Sequence, residues 1–144
     1  MGYIVIAGQR RIMPDDVRVV TFLDPDGLSF YASLDPPTSR VYQGEQRPYI
    51  FPRRLPQGAS GVSGLFGQGF REAGEGDAIK ALAKVVRTVV LHHDGNVSSK
   101  ACFATLLERG YSTHFMIDAD GTVYQATDVA DMALHAGGVN QVSI

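Results

Sequence analysis

The stretch that decides the predicted fold runs from Thr88 to Asn140 and contains TVVLHHDG (88–95), STHFMIDADGTVYQ (112–125) and ALHAGGVN (133–140). It carries every histidine of the chain, since the first 91 residues have none. These histidines are His92, His93, His114 and His135. Histidine is the commonest metal ligand and the side chain whose ordinary pKa lies nearest neutral pH. Their concentration predicts a functional site within this stretch.

The first element of the stretch is a predicted strand. Residues 87–92 are rich in β-branched side chains and end just before Asp94-Gly95, which is typical of a strand followed by a turn. Because side chains alternate along a strand, His92 and His93 should point to opposite faces. We therefore expect these two histidines not to bind the same metal.

A helix and a hairpin follow. The helix is expected to begin at Ser98 or Ser99, which can cap its first turn, and to end before Gly110, which suits a C-terminal cap. Residues 114–118 and 122–125 are predicted strands joined by Asp-Ala-Asp-Gly, a strong hairpin signal. The stretch therefore reads as a β-α-β-β unit.

Residues 86–144 resemble the opening half of the zinc-dependent N-acetylmuramoyl-L-alanine amidases, the type 2 amidase and peptidoglycan recognition protein family. The resemblance rests on four motifs in one order: an apolar strand ending in His-His, a helix, HFMIDADGTVYQ, and HAGGVN followed by SI. It implies an α/β fold, with an amidase-like mixed β-sheet and flanking helices that is incomplete at the C-terminus.

The resemblance also implies the chemistry and the residues of a site. His92 corresponds to the first zinc ligand of the family, and the other ligands are expected beyond residue 144. Zinc would activate a water molecule that cleaves the N-acetylmuramoyl-L-alanine amide bond of peptidoglycan. Substrate contacts are expected from His114, His135 and Asn140. The catalytic residue is unknown, because Thr113 stands where some members carry a tyrosine.

Two further functions remain open at this point. The protein could be a catalytically inactive relative that binds the wall, or a structural or docking subunit of a larger assembly such as a phage-tail-like particle. The 144-residue chain alone is expected to be inactive, because it supplies one zinc ligand of the family pattern.

Composition excludes several classes of function. A net charge of −2 provides no basic surface, so nucleic acid is not an expected partner. The single cysteine, Cys102, lies on the apolar side of its predicted helix and should be an inert buried thiol. We find neither a signal peptide nor an apolar run long enough to cross a bilayer. The protein is therefore expected to be made in the cytoplasm and to reach the wall by release or by a delivery machine.

The chain is predicted to have three segments. Residues 1–35 form a small β-rich module, in which Asp24-Pro25-Asp26-Gly27 joins strands 17–23 and 28–34 as a hairpin. Residues 36–76 are a Pro/Gly-rich arm or linker, which could dock a protein assembly together with the module or lie over its own domain. Residues 77–144 form the amidase-like part, opening with Asp77 as the cap of helix 78–85.

Overall fold

The computed structural model describes residues 1–53 and 75–144. In these ranges the chain is mixed α/β, which confirms the predicted class, with one three-stranded and four two-stranded sheets. The two helices are α1 (Glu75–Ala83) and α2 (Ser99–Arg109). The strands are β1 (Tyr3–Ile6), β2 (Gln9–Ile12), β3 (Val19–Thr21), β4 (Tyr31–Leu34), β5 (Pro37–Ser39), β6 (Val41–Tyr42), β7 (Arg47–Pro48), β8 (Ile50–Pro52), β9 (Phe115–Ile117), β10 (Val123–Gln125) and β11 (Asp131–Ala133).

The first two strands form a hairpin with a two-residue turn. Tyr3 pairs with Ile12 and Ile6 with Gln9, so Ala7 and Gly8 make the turn. Both turn residues have positive φ, 53° and 75°, which is the conformation that matches the twist of a tight hairpin.

The predicted hairpin between residues 17–23 and 28–34 is wrong, although its turn exists. The amide of Asp24 donates to Thr21 O and that of Gly27 donates to Asp24 O, so the chain does reverse there. However, β3 pairs with β10 in parallel and β4 pairs with β5. A turn motif fixes the local reversal of the backbone, while the choice of partner strand depends on distant residues.

The three-stranded sheet has the order β3-β10-β9 and joins the two ends of the chain. Its β9–β10 hairpin confirms the predicted pair of strands, with Gly121 at φ 85° donating its amide to Asp118 O. The sheet therefore connects residues 19–21 directly to the histidine-bearing half.

Helix α2 has the caps that the sequence predicts. The Ser98 hydroxyl accepts from the amide of Ala101 at 3.1 Å, and Gly110 adopts the left-handed conformation at φ 75°. Cys102 and Phe103 on its inner face are buried. Helix α1 begins at Glu75, so Asp77 lies within it and the predicted cap is wrong.

The predicted strand over residues 87–92 is reduced to one parallel bridge between Thr88 and Ser143. The amides of Arg87 and Val90 donate to Val142 O and Ile144 O at 2.9 Å each. A regular ladder needs a neighbour along its whole length, and the described contacts run along only part of this segment. Two of its apolar side chains are exposed, Val89 at 67% and Leu91 at 90%.

One core combines residues from both halves of the chain. It includes aromatic side chains from residues 22–49 together with Phe103 and Met116. Its buried members are Val5, Phe22, Phe30, Tyr31, Tyr49, Ile50, Cys102, Phe103, Met116 and Ala126. The first part of the Pro/Gly-rich arm, up to residue 53, is thus packed into the fold, and β8 pairs with β11. The part of the arm from residue 54 to 74, with its glycine-rich stretch, lies outside the described residues.

Within residues 1–53 and 75–144, no helix is long and apolar enough to cross a membrane.

Candidate functional site

Three of the four histidines converge at one place. Nε2 of His92 lies 3.0 Å from Nδ1 of His135, and the two rings meet edge to face at a centroid distance of 5.3 Å. The ring of His114 lies 6.3 Å from that of His135. His93 is exposed, as His92 is, but it is not one of the rings that meet here. The cluster defined by His92, His114 and His135 is hereafter the histidine cluster.

Hydrogen bonds to the backbone position the segments that carry His92 and His135. His92 follows the extended segment 87–90, whose amides are tied to Val142 and Ile144. His135 follows β11, and its amide donates to Oδ1 of Asn140 at 3.0 Å. The amide of Ala136 donates to the same oxygen at 2.7 Å. The Asn140 side chain therefore holds the loop that carries His135.

Ser143 determines which nitrogen of His135 carries the proton. Its Oγ lies 3.1 Å from Nε2 of His135 and donates to Val139 O at 2.9 Å. A hydroxyl has one proton. All of these contacts are therefore made together only when His135 Nε2–H donates to Ser143 Oγ. Nδ1 of His135 then keeps its lone pair and faces His92.

His114 is the buried member of the cluster. It is 1% exposed, and its Nε2 lies 2.7 Å from the carbonyl oxygen of Asp131. Only a protonated Nε2 can donate to that carbonyl, which leaves Nδ1 as a buried nitrogen without a hydrogen-bond partner. Burial, and then the charge of Arg53, lower the pKa of His114 to about 3. The ring is therefore neutral near pH 7 and cannot serve there as a proton donor in cationic form.

Arg53 is buried, with only 4% of its surface exposed, and it binds the backbone around the histidine cluster. Its Nε donates to Val129 O at 2.8 Å, and Nη2 donates to Ser143 O at 2.7 Å. Nη1 donates to the carbonyls of Asn140 and Gln141 at 3.1 and 2.9 Å. Nη2 also lies 3.2 Å from Nε2 of His114.

Electrostatics keep Arg53 charged despite its burial. Desolvation lowers its pKa to about 10, while Asp131 and Asp128 act in the opposite direction. The guanidinium is therefore cationic at neutral pH. Burial also lowers the pKa of His135, with smaller contributions from His92 and Arg53.

The sequence did not single out Arg53. It lies in the Pro/Gly-rich arm, for which the sequence predicts docking to an assembly or packing over its own domain. A buried arginine differs from a solvated one by its surroundings, here the carbonyls of residues 129–143, and no local motif near residue 53 marks that environment.

The predicted site residues lie in two groups. His92, His114, His135 and Asn140 are brought together as described above. Thr113 is half-buried, and its hydroxyl donates to Phe115 O at 3.4 Å. In the described part of the chain, no group of three His, Cys, Asp or Glu side chains is arranged to hold a metal ion.

Comparison with protein families identifies a match for this part of the chain. Residues 82–144 match the N-acetylmuramoyl-L-alanine amidase family, which confirms the predicted resemblance over nearly the same residues. The searches of curated proteins and of solved structures gave no significant match.

Proposed function

We propose, from the match of residues 82–144 to the N-acetylmuramoyl-L-alanine amidases, that this protein is a peptidoglycan hydrolase. The bond cleaved is the amide between the lactyl group of muramic acid and L-alanine. The observation that supports this best is the convergence of His92, His114 and His135 within the matched residues. We also propose that the mixed β-sheet of this part of the chain is arranged as in the amidases.

Zinc is part of the proposal, with the imidazole of His92 as one of its ligands. Two imidazole nitrogens on one tetrahedral zinc ion lie roughly 3.3 Å apart, given zinc–nitrogen distances of about 2.0–2.1 Å. The facing nitrogens of His92 and His135 are 3.0 Å apart, the distance of an N–H···N hydrogen bond, so His135 is not assigned to zinc and Nε2 of His92 would have to give up this contact to bind the ion. His92 is exposed and lies within the family match, and imidazole nitrogen is a donor that zinc takes, so His92 fits a zinc ligand; the remaining ligands are proposed to lie beyond residue 144.

The residues of the cluster would then have separate tasks. His92 would hold zinc, which, when bound, lowers the pKa of a water molecule to roughly 7 and so supplies the nucleophile. His135 is half-buried, and its Nδ1 lone pair faces His92; once Nε2 of His92 has turned to zinc, this lone pair could accept a hydrogen bond from substrate or water. Asn140 keeps the His135 loop in place through its side-chain oxygen. His114 is neutral and buried, and its proposed task is structural.

The test uses the complete natural polypeptide and two single variants, His92→Ala and His93→Ala. Zinc content is measured by mass spectrometry, and amide cleavage by the release of peptides from purified peptidoglycan. We expect His92→Ala to lose both zinc and cleavage. His93→Ala should retain both, because the ring contacts of the cluster join His92, His114 and His135 and not His93.

Other outcomes identify the alternatives. If the wild-type protein binds peptidoglycan but releases no peptides, it is an inactive wall-binding relative. If it does neither, a structural subunit docked through residues 1–76 becomes the better proposal. If His93→Ala, and not His92→Ala, loses zinc, the assignment of His92 is wrong. Action at the cell wall after release or delivery by a machine remains a prediction.

A further inference from the structure

We infer that Arg53 is a positioning residue of the histidine cluster, which fixes the proton and the orientation of the His135 ring by holding residues 140–143. Its significance for catalysis rests on the proposed function. Arg53 itself lies outside residues 82–144, the part of the chain that matches the amidase family. The inference therefore concerns a residue that the family match does not cover.

The planar guanidinium of Arg53 donates several hydrogen bonds to backbone carbonyl oxygens at once. A guanidinium has five donors in a rigid plane and no acceptor. Here Nε, Nη1 and Nη2 donate to four carbonyl oxygens, three of them in residues 140–143. Carbonyl oxygens at the end of a short 3-10 helix, Asn140–Val142, otherwise need partners of their own. One side chain satisfies them together and fixes the path of this segment.

The held segment is the one that orients His135. Asn140 binds the backbone of the His135 loop through Oδ1, and Ser143 binds the His135 ring through Oγ. Arg53 donates to the carbonyl oxygen of each of these two residues. A displacement of residues 140–143 would therefore release both the loop and the ring. The proton on Nε2 of His135, and the bare nitrogen facing His92, depend on this chain of contacts.

Lysine should not be able to replace Arg53. Its ammonium keeps the positive charge near Asp128 and Asp131, which act on Arg53. However, its three donors radiate from one nitrogen and cannot span the carbonyls of Val129 and Ser143 at the same time. Arg53→Lys thus separates the charge of the side chain from its fork geometry.

The experiment reads the ring nitrogens of His135 directly, by 15N NMR of the histidine-labelled protein at about pH 8, where imidazoles are neutral. In the wild type we expect one protonated and one bare nitrogen, each with its own shift. In Arg53→Lys the two shifts should move toward a common average as both tautomers become populated. Arg40→Lys is the control, because Arg40 is exposed and donates to Ser29 O. It should keep the wild-type pattern.

Two further measurements apply if Arg53→Lys does not fold. Ser143→Ala removes the acceptor of His135 Nε2–H while keeping the carbonyl that Arg53 binds, so it too should average the two shifts. In the wild type, the guanidinium protons of Arg53 should exchange with water at least about tenfold more slowly than those of Arg40. Equal exchange rates, or a wild-type pattern in Arg53→Lys or Ser143→Ala, would overturn the inference.

These readouts do not depend on amide cleavage. If the wild type is inactive and yet shows the expected ring pattern and its loss in Arg53→Lys, the proposed function fails and Arg53 still positions His135. If the wild type is active, Arg53→Lys should lower cleavage by about 10- to 100-fold, the usual effect of changing a residue that orients a metal site. Unchanged cleavage in Arg53→Lys would refute the catalytic significance of this residue.

Discussion

The buried imidazole of His114 should make the stability of the protein depend on pH in a way that one substitution removes. Its pKa in the folded protein is about 3, against an ordinary value of 6.5. Between these two values the unfolded chain binds a proton that the folded chain does not. Folding is therefore favoured above pH 6.5, and this contribution is lost as the pH falls toward 3.

The size of the effect follows from the same two values. One unit of pKa difference corresponds to about 1.4 kcal/mol. Between pH 7.5 and 5 the protonation of the unfolded chain should therefore reduce the free energy of unfolding by about 2 kcal/mol through this histidine alone. His114→Gln keeps an N–H that can donate to the carbonyl of Asp131 and cannot titrate, so this part of the loss should disappear.

The assay is urea unfolding at several pH values from 7.5 to 5. It is followed by circular dichroism, because the sequence contains no tryptophan. The quantity compared is the change in unfolding free energy across this range, which cancels any fixed cost of the substitution. His93→Gln is the control, because it makes the same substitution at an exposed histidine. If wild type and His114→Gln lose the same stability, His114 titrates normally in the folded protein and the reasoning is refuted.

Three further substitutions or treatments test the packing. The carboxylate of Asp128 accepts hydrogen bonds from three backbone amides, two of them in the first hairpin turn. Asp128→Ala should therefore lower the free energy of unfolding, measured in urea, by about 3 kcal/mol or more. A reduction below about 1 kcal/mol would contradict this. Gly110→Ala should cost about 1–2 kcal/mol more than Gly121→Ala, because both have positive φ but only at Gly110 would a Cβ lie 2.8 Å from the Tyr42 ring. Equal costs would show that the clash relaxes. The thiol of Cys102, whose pKa is raised to about 12 mainly by burial, should resist iodoacetamide in the folded protein and react after denaturation. Rapid labelling of the native protein would show that the site opens.

Elements whose signals are local could be predicted from the sequence. Ser98 and Gly110 mark the ends of α2 because each cap uses only its own turn of helix. The β9–β10 hairpin is determined in the same way by the residues of its turn. The Asp24–Gly27 motif shows the limit, since it reverses the chain correctly but cannot say that β3 pairs with β10.

The candidate site was predictable to a similar extent. The motifs around His92, His114 and His135 pointed to one region, and the structure brings these three rings together. The tautomer of His135 and the burial of His114 could not be read from the sequence, because both depend on contacts made across the fold. Arg53 is the clearest case, since its partners lie 76 to 90 positions further along the chain.

The parallel pairing of β3 with β10 has a consequence for how the protein is made. Residues 19–21 find their neighbour in residues 123–125, so the connection between the two strands comprises residues 22–122. During synthesis the N-terminal segment leaves the ribosome long before that neighbour exists. Phe22 and Phe30, which are buried in the finished core, are then without Phe103 and Met116. Contacts of such long range are formed slowly and leave apolar surface open to aggregation in the meantime. The nascent chain therefore has to be kept soluble at least until residues 123–125 have left the ribosome.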